Sequence, residues 1–145
     1  VGNIHKDQFK YYNKLKSLIQ LFEINNLDFV NYKKDVRAIL NRIDLYLCTS
    51  KNESSPVSVW EAMSMAKPIV STNVGDVSIY IKDNVNGFVV KKNIIYKMSK
   101  KILHLIKNKD KRKSFGKKSR IIAKNKLDLS VVSRKYILAY NYFAR

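Results

Sequence analysis

Two carboxylates stand out in a chain crowded with lysine. Of its three glutamates, Glu53 and Glu61 lie eight positions apart in the stretch ESSPVSVWEAM, on either side of Pro56. A carboxylate accepts two hydrogen bonds and a vicinal diol offers two, so each acid suits a ribose or a hexose. Pro56 fits the first turn of a helix, and Ser55 before it is a helix-capping residue. The free amides of Val57 and Ser58 then sit at the positive end of a helix dipole, a natural place for phosphate. One glutamate on each side of such a helix start would grip the sugars flanking a diphosphate, a geometry that suits a nucleotide sugar. Spacing alone leaves a second reading open. Val59, Ala62, Met63 and Ala66 form the core face, so Glu61 can equally be a solvated surface residue and Glu53 an ordinary loop residue.

Hydrophobic periodicity supplies the elements that must hold this stretch. Residues 5–24 read as an amphipathic helix with Phe9, Tyr12, Leu15, Ile19 and Phe22 at steps of three and four, ended by Asn25 and Asn26. A short strand is predicted at 27–32 and a short helix at 34–43. The run 44–50 is apolar at nearly every position, as in a strand covered on both faces. A helix over 56–66, a strand at 68–72, a loop with a helical turn and a strand at 87–91 follow. Helices close the chain at 94–107, 109–126 and 130–143, the first with Ile95, Met98, Ile102, Leu105 and Ile106 on one face, the last with Val132, Tyr136, Ile137, Tyr140 and Phe143. Strands alternating with helices predict an α/β fold with a largely parallel, Rossmann-like sheet. The strand at 44–50 delivers the Glu53 loop to the sheet's carboxyl edge, where such folds bind ligands.

The 145 residues fit one domain with a hydrophobic core. Neither a long apolar run nor a signal-peptide pattern is present, and Cys48 is the lone cysteine. A reducing, cytoplasmic setting is expected, with Cys48 a buried small hydrophobe. Net charge is +18, from 29 Lys+Arg against 11 Asp+Glu. That balance favours anionic partners, nucleotides, nucleic acid or acidic lipid. Codon bias gives the same abundance of Lys, Asn, Ile and Tyr with no binding surface behind it.

SKNESSPVSVWEAMSMAKPIVSTNVGDV, followed by DNVNGFVV, resembles the donor-binding, C-terminal half of a retaining glycosyltransferase of the GT-B class, family 4 (glycosyl transferases group 1). The resemblance rests on E-x7-E at Glu53 and Glu61, the EAMSMAKPIV join, STNVG and NGFVV in order. It covers nearly the whole chain. It implies that Glu53 contacts the transferred sugar near the reacting carbon and that Glu61 holds the ribose hydroxyls. Val57 and Ser58, started by Pro56, would offer amides to the distal phosphate or sugar. Asn31, Tyr32 and Lys33 would border the nucleobase, Gly2 and Asn3 would line the crevice mouth, and Gly75 would make a tight turn below the site. The implied reaction moves a hexose from a nucleoside-diphosphate sugar to a glycan or lipid-linked acceptor with retention. No cofactor or metal is expected, because a helix N-terminus and basic side chains stabilise the leaving diphosphate. No carboxylate or histidine cluster suited to magnesium or zinc is visible.

The chain departs from the family pattern in two places. Glycines often follow the first glutamate (EGFG), where this chain has Ser54, Ser55 and Pro56. A second glycine and then an acidic residue often follow VG, where Asp76 and Ile79 stand. The resemblance also places a diphosphate-neutralising arginine and lysine, and the acceptor-binding domain, ahead of Val1. Residues 1–145 are therefore expected to be a donor-binding domain lacking its first strand-helix unit and the N-terminal domain. Alone it is expected to bind donor weakly and not to catalyse transfer.

A basic nucleic-acid or anion-binding domain without catalysis is the alternative. It rests on charge alone, since no recognised nucleic-acid motif or basic-aromatic interleaving supports it. Residues 109–120 read as a solvated helix face, or, through the resemblance, as a contact for acidic lipid at the inner membrane face. Trp60 is expected to pack, His5 to lie at the surface, and His104 to have no role.

Overall fold

The computed structural model describes residues 8–144, and the chain divides into two compact units, Val1–Val36, described from Gln8 on, and Arg37–Arg145, described as far as Ala144. In the first unit, α1 spans Phe9–Leu21. Its predicted face is half-buried at Tyr12, Leu15 and Ile19, while Phe9 and Phe22 are exposed. Glu23, not the Asn pair, stops the helix, with φ +50°. Its amide bonds Gln20 O at 3.1 Å and the Ile24 amide bonds Ile19 O at 2.9 Å, a Schellman turn built without glycine.

The strand predicted at 27–32 is not formed. A strand needs a neighbour to exchange backbone hydrogen bonds, and among the described residues no ladder includes this segment. Phe29 instead meets Tyr12 edge-on, ring centroids 5.0 Å apart.

The second unit opens with α2, Arg37–Arg42. β1 (Tyr46–Cys48), β2 (Ile69–Thr72) and β3 (Gly87–Val90) form a parallel sheet in the order β1-β2-β3. Tyr46 pairs with Ile69, and Ile69 with Gly87. Between the strands run α3 (Val57–Ser64) and α4 (Val77–Tyr80), and after them α5 (Ile95–Lys107), α6 (Lys109–Lys126) and α7 (Leu129–Phe143). The α/β order and parallel sheet read from the sequence are what the structure contains.

β2 is central and buried along its whole length, with Ser71 and Thr72 buried beside Ile69 and Val70. β1 is paired on one side and leaves Leu47 42% exposed, so the expectation of two covered faces fails there. Val59, Ala62 and Met63 bury the inner face of α3 completely. Burying Val59 and Met63 contributes about 1.5–3 kcal/mol each and fixes the helix on the sheet. Val70, Phe88, Leu105 and Phe115 form a core cluster beneath α5 and α6. Ile95 and Ile106, expected on the packed face of α5, are exposed, as is most of the expected face of α7.

α3 ends as α1 does. Ala66 takes φ +56°, with its amide on Met63 O and the Lys67 amide on Ala62 O, each at 3.0 Å. α6 crosses this turn at Gly116, where a Cβ would stand 3.0 Å from the Ala66 carbonyl carbon. Glycine is needed there because the two backbones meet.

Candidate functional site

The site is built where β1 and β2 end. Thr72 Oγ1, at the end of β2, donates to Ser50 O at 2.6 Å and so ties down the loop after β1. Ser50 Oγ donates to Glu53 Oε1 at 2.8 Å, which orients an otherwise exposed carboxylate. Gly75, in the loop after β2, packs under that loop with φ +50°. A Cβ on it would fall 2.6 Å from the Ser54 carbonyl carbon and 2.8 Å from Glu53 O. The tight turn expected at Gly75 is present, and it lies against the backbone that carries Glu53.

Pro56 is the N-cap of α3, one position outside the helix, with φ −74° and ψ 93°. Its carbonyl accepts from Val59 N at 2.9 Å and Trp60 N at 3.4 Å. The amides of Val57 and Ser58 precede the first intrahelical donor, so helix geometry leaves them open. The expectation that Ser55 caps the helix is corrected, since no side chain caps α3. Ser55 Oγ donates instead to Asp76 Oδ2 at 3.1 Å and accepts from Trp60 Nε1 at 3.0 Å. An uncapped N-terminus keeps its donors and dipole available for an anion.

Glu61 is exposed one turn along α3 and lines a groove of about 480 Å³ with Trp60, Ser64, Arg120 and Lys124. Trp60 packs as expected, edge-on to Tyr80 at 5.0 Å. His104, given no role from sequence, meets the Phe88 ring at 5.9 Å. Tyr46, on β1, was not foreseen. Burial pushes its phenol above the ordinary value, and a hydrogen bond with the Ser58 side chain opposes the shift. The charges of Cys48, Glu61 and Glu53 add to the rise. No sequence signal marks Tyr46, because its partner lies on another element.

Glu53, Pro56, Val57, Ser58 and Glu61 are thus grouped in the second unit. Asn31, Tyr32 and Lys33 are exposed residues of the first unit, on irregular backbone. Gly2, Asn3 and His5 lie outside the described residues. A further cavity of about 430 Å³ opens at the strands' carboxyl ends, lined by Ser50, Lys51, Thr72, Lys91, Lys92 and Met98. Cys48 is buried, as expected. Among the described residues, no group of three or more His, Cys, Asp or Glu could hold a metal ion. Among them too, no helix is long and apolar enough to cross a membrane.

A family model described as "Glycosyl transferases group 1" matches residues 1–121. An uncharacterized glycosyltransferase of Methanocaldococcus jannaschii is 25% identical over 117 residues, 79% of this chain and 33% of its own. The poly(ribitol-phosphate) alpha-N-acetylglucosaminyltransferase of Staphylococcus aureus is 28% identical over 117 residues, 80% of this chain and 24% of its own. The chain therefore spans a third or less of these relatives' length. Among solved structures, Anabaena HepE in complex with UDP superposes with a TM-score of 0.89 at 22% identity, over 99% of this chain and 40% of that one. At that identity the likeness is one of fold.

Proposed function

The chain belongs to the glycosyl transferases group 1 family, of the GT-B type, and from that premise we propose that it is the donor-binding half of a retaining, family 4 hexosyltransferase. It holds a nucleoside-diphosphate sugar and passes the hexose to a glycan or lipid-linked acceptor. The observation that carries this reading is the uncapped start of α3, with open amides at Val57 and Ser58, between Glu53 in the loop before it and Glu61 one turn along it. Diphosphate sits on the amides, Glu61 takes the ribose diol, and Glu53 contacts the hexose. As the sugar leaves, charge grows on the diphosphate. Fixed amides and a helix dipole stabilise that charge more than they stabilise the ground state. A metal is not needed for this, and transfer is expected to survive a chelator.

Support for the donor class comes from a neighbour of the same fold solved with UDP and from a relative named as an N-acetylglucosaminyltransferase. An acceptor-binding domain and a basic diphosphate clamp are proposed to precede Val1 in the intact enzyme. That fits the share of its relatives' length that the chain spans. The setting is proposed as cytoplasmic, with the basic face of α6 resting on anionic lipid at the inner membrane.

Calorimetric titration of the intact protein with UDP and GDP tests the reading. One of the two is expected to bind, and Glu61→Ala to weaken it by about 1–3 kcal/mol through loss of a charged hydrogen-bond partner. Absence of heat with both nucleotides would overturn the assignment.

A further inference from the structure

The two places where this sequence departs from its family's pattern touch each other in the fold. Ser55 replaces one residue of the glycine-containing loop after the first glutamate, and Asp76 stands where a second glycine often follows Gly75. Ser55 Oγ donates to Asp76 Oδ2 at 3.1 Å, and the Asp76 amide donates to Ser54 O at 3.1 Å. A hydroxyl has one proton to give, so with Asp76 as its acceptor Ser55 meets Trp60 Nε1 with a lone pair, at 3.0 Å. Trp60 then packs on Tyr80 of α4, the helix that Asp76 itself begins. The contacts close a ring from Asp76 through Ser55, Trp60 and Tyr80 back to α4. Glu53 lies two residues before Ser55 in this ring, and Glu61 follows Trp60 directly.

We propose that Ser55 and Asp76 are positioning residues: a side-chain clamp that sets the α3 N-terminus and Glu53 for the donor. The proposal rests on the donor-binding reading above. Asp76 Oδ1 is buried and has no partner among the described residues. Its carboxylate thus depends on Ser55 for a side-chain donor, and breaking the pair leaves the covered oxygen's carboxylate short of partners. Ser54, Pro56 and Asp76, which stand at the family's glycine positions, also have fewer backbone states and so lower the entropy lost when the loops are ordered. The departures are coupled, and each makes the other useful.

A double-mutant cycle on the intact protein tests the clamp, reading hydrogen exchange over residues 53–60 and donor kinetics. Ser55→Ala and Asp76→Ala are each expected to speed exchange in that segment and raise donor KM about tenfold, with kcat nearly unchanged. The double variant is expected to match the worse single variant, as for residues acting through one contact. Asp76→Asn keeps an acceptor for Ser55 and is expected to stay near the parent in both readouts, which also guards against a variant that merely fails to fold. Multiplying effects, unchanged exchange, or Asp76→Asn as damaging as Asp76→Ala would each overturn the clamp. A parent protein that binds no nucleoside diphosphate overturns the donor reading instead, and the exchange cycle still decides the clamp.

Discussion

Gly75 lies against the peptide that follows Glu53, with the Ser54 carbonyl carbon 2.6 Å from where a Cβ would stand. With φ at +50°, the position asks for glycine on two independent grounds. Gly75→Ala must move the Glu53 loop or strain the turn. The expected cost is about 2–4 kcal/mol of stability, from left-handed strain and a backbone clash together. Urea denaturation measures it, and nucleotide titration should show weakened binding in the folded fraction. Unchanged stability and binding would mean that the two loops are not in contact.

Gly116 offers a sign test. In an isolated helix, Gly→Ala gains about 1 kcal/mol. Here the Cβ would meet the Ala66 carbonyl at the end of α3. Gly116→Ala is expected to lose about 1–3 kcal/mol, as overpacking does, with α6 pushed from α3. A gain in the denaturation midpoint would refute this close crossing.

Asp128 governs the start of α7. Its Oδ1 accepts from Ser130 Oγ at 2.6 Å and from Ser130 N at 2.9 Å. These two hydrogen bonds, side-chain first, hold the carboxyl of this exposed residue below its ordinary value, with a small loss of hydration opposing them and Lys124 assisting. Because the folded value is the lower one, the cap's contribution is fully present above the ordinary aspartate value of about 4. It is lost as pH falls through the folded value beneath that. Amide exchange over 130–132 should accelerate on acidification below that point. Asp128→Asn should remove this component of acid sensitivity, since it keeps an acceptor and cannot titrate there.

Much of this arrangement was legible in the sequence. The α3 start and the β1 and β2 strands follow from local signals: a proline, apolar residues and helical spacing. Features set by distant partners were not. Ser55 is a good cap by type, but Asp76, 21 positions away, takes its hydroxyl. Tyr46 reads as one more apolar strand residue until Ser58 is seen beside it. The stops at Glu23 and Ala66 use left-handed backbone without glycine, which composition does not announce. The segment 27–32 has strand-like residues, yet strand identity belongs to a pair of segments and not to one.

The most direct test of the central claim follows backbone amide resonances of the intact protein during a titration with the nucleoside diphosphate that binds. The account predicts the largest shifts at Val57 and Ser58, saturating with the calorimetric affinity. It also predicts that Glu61→Ala weakens the titration without moving the site. Binding that left those two amides unmoved and shifted the lysine-rich face of α6 instead would contradict it.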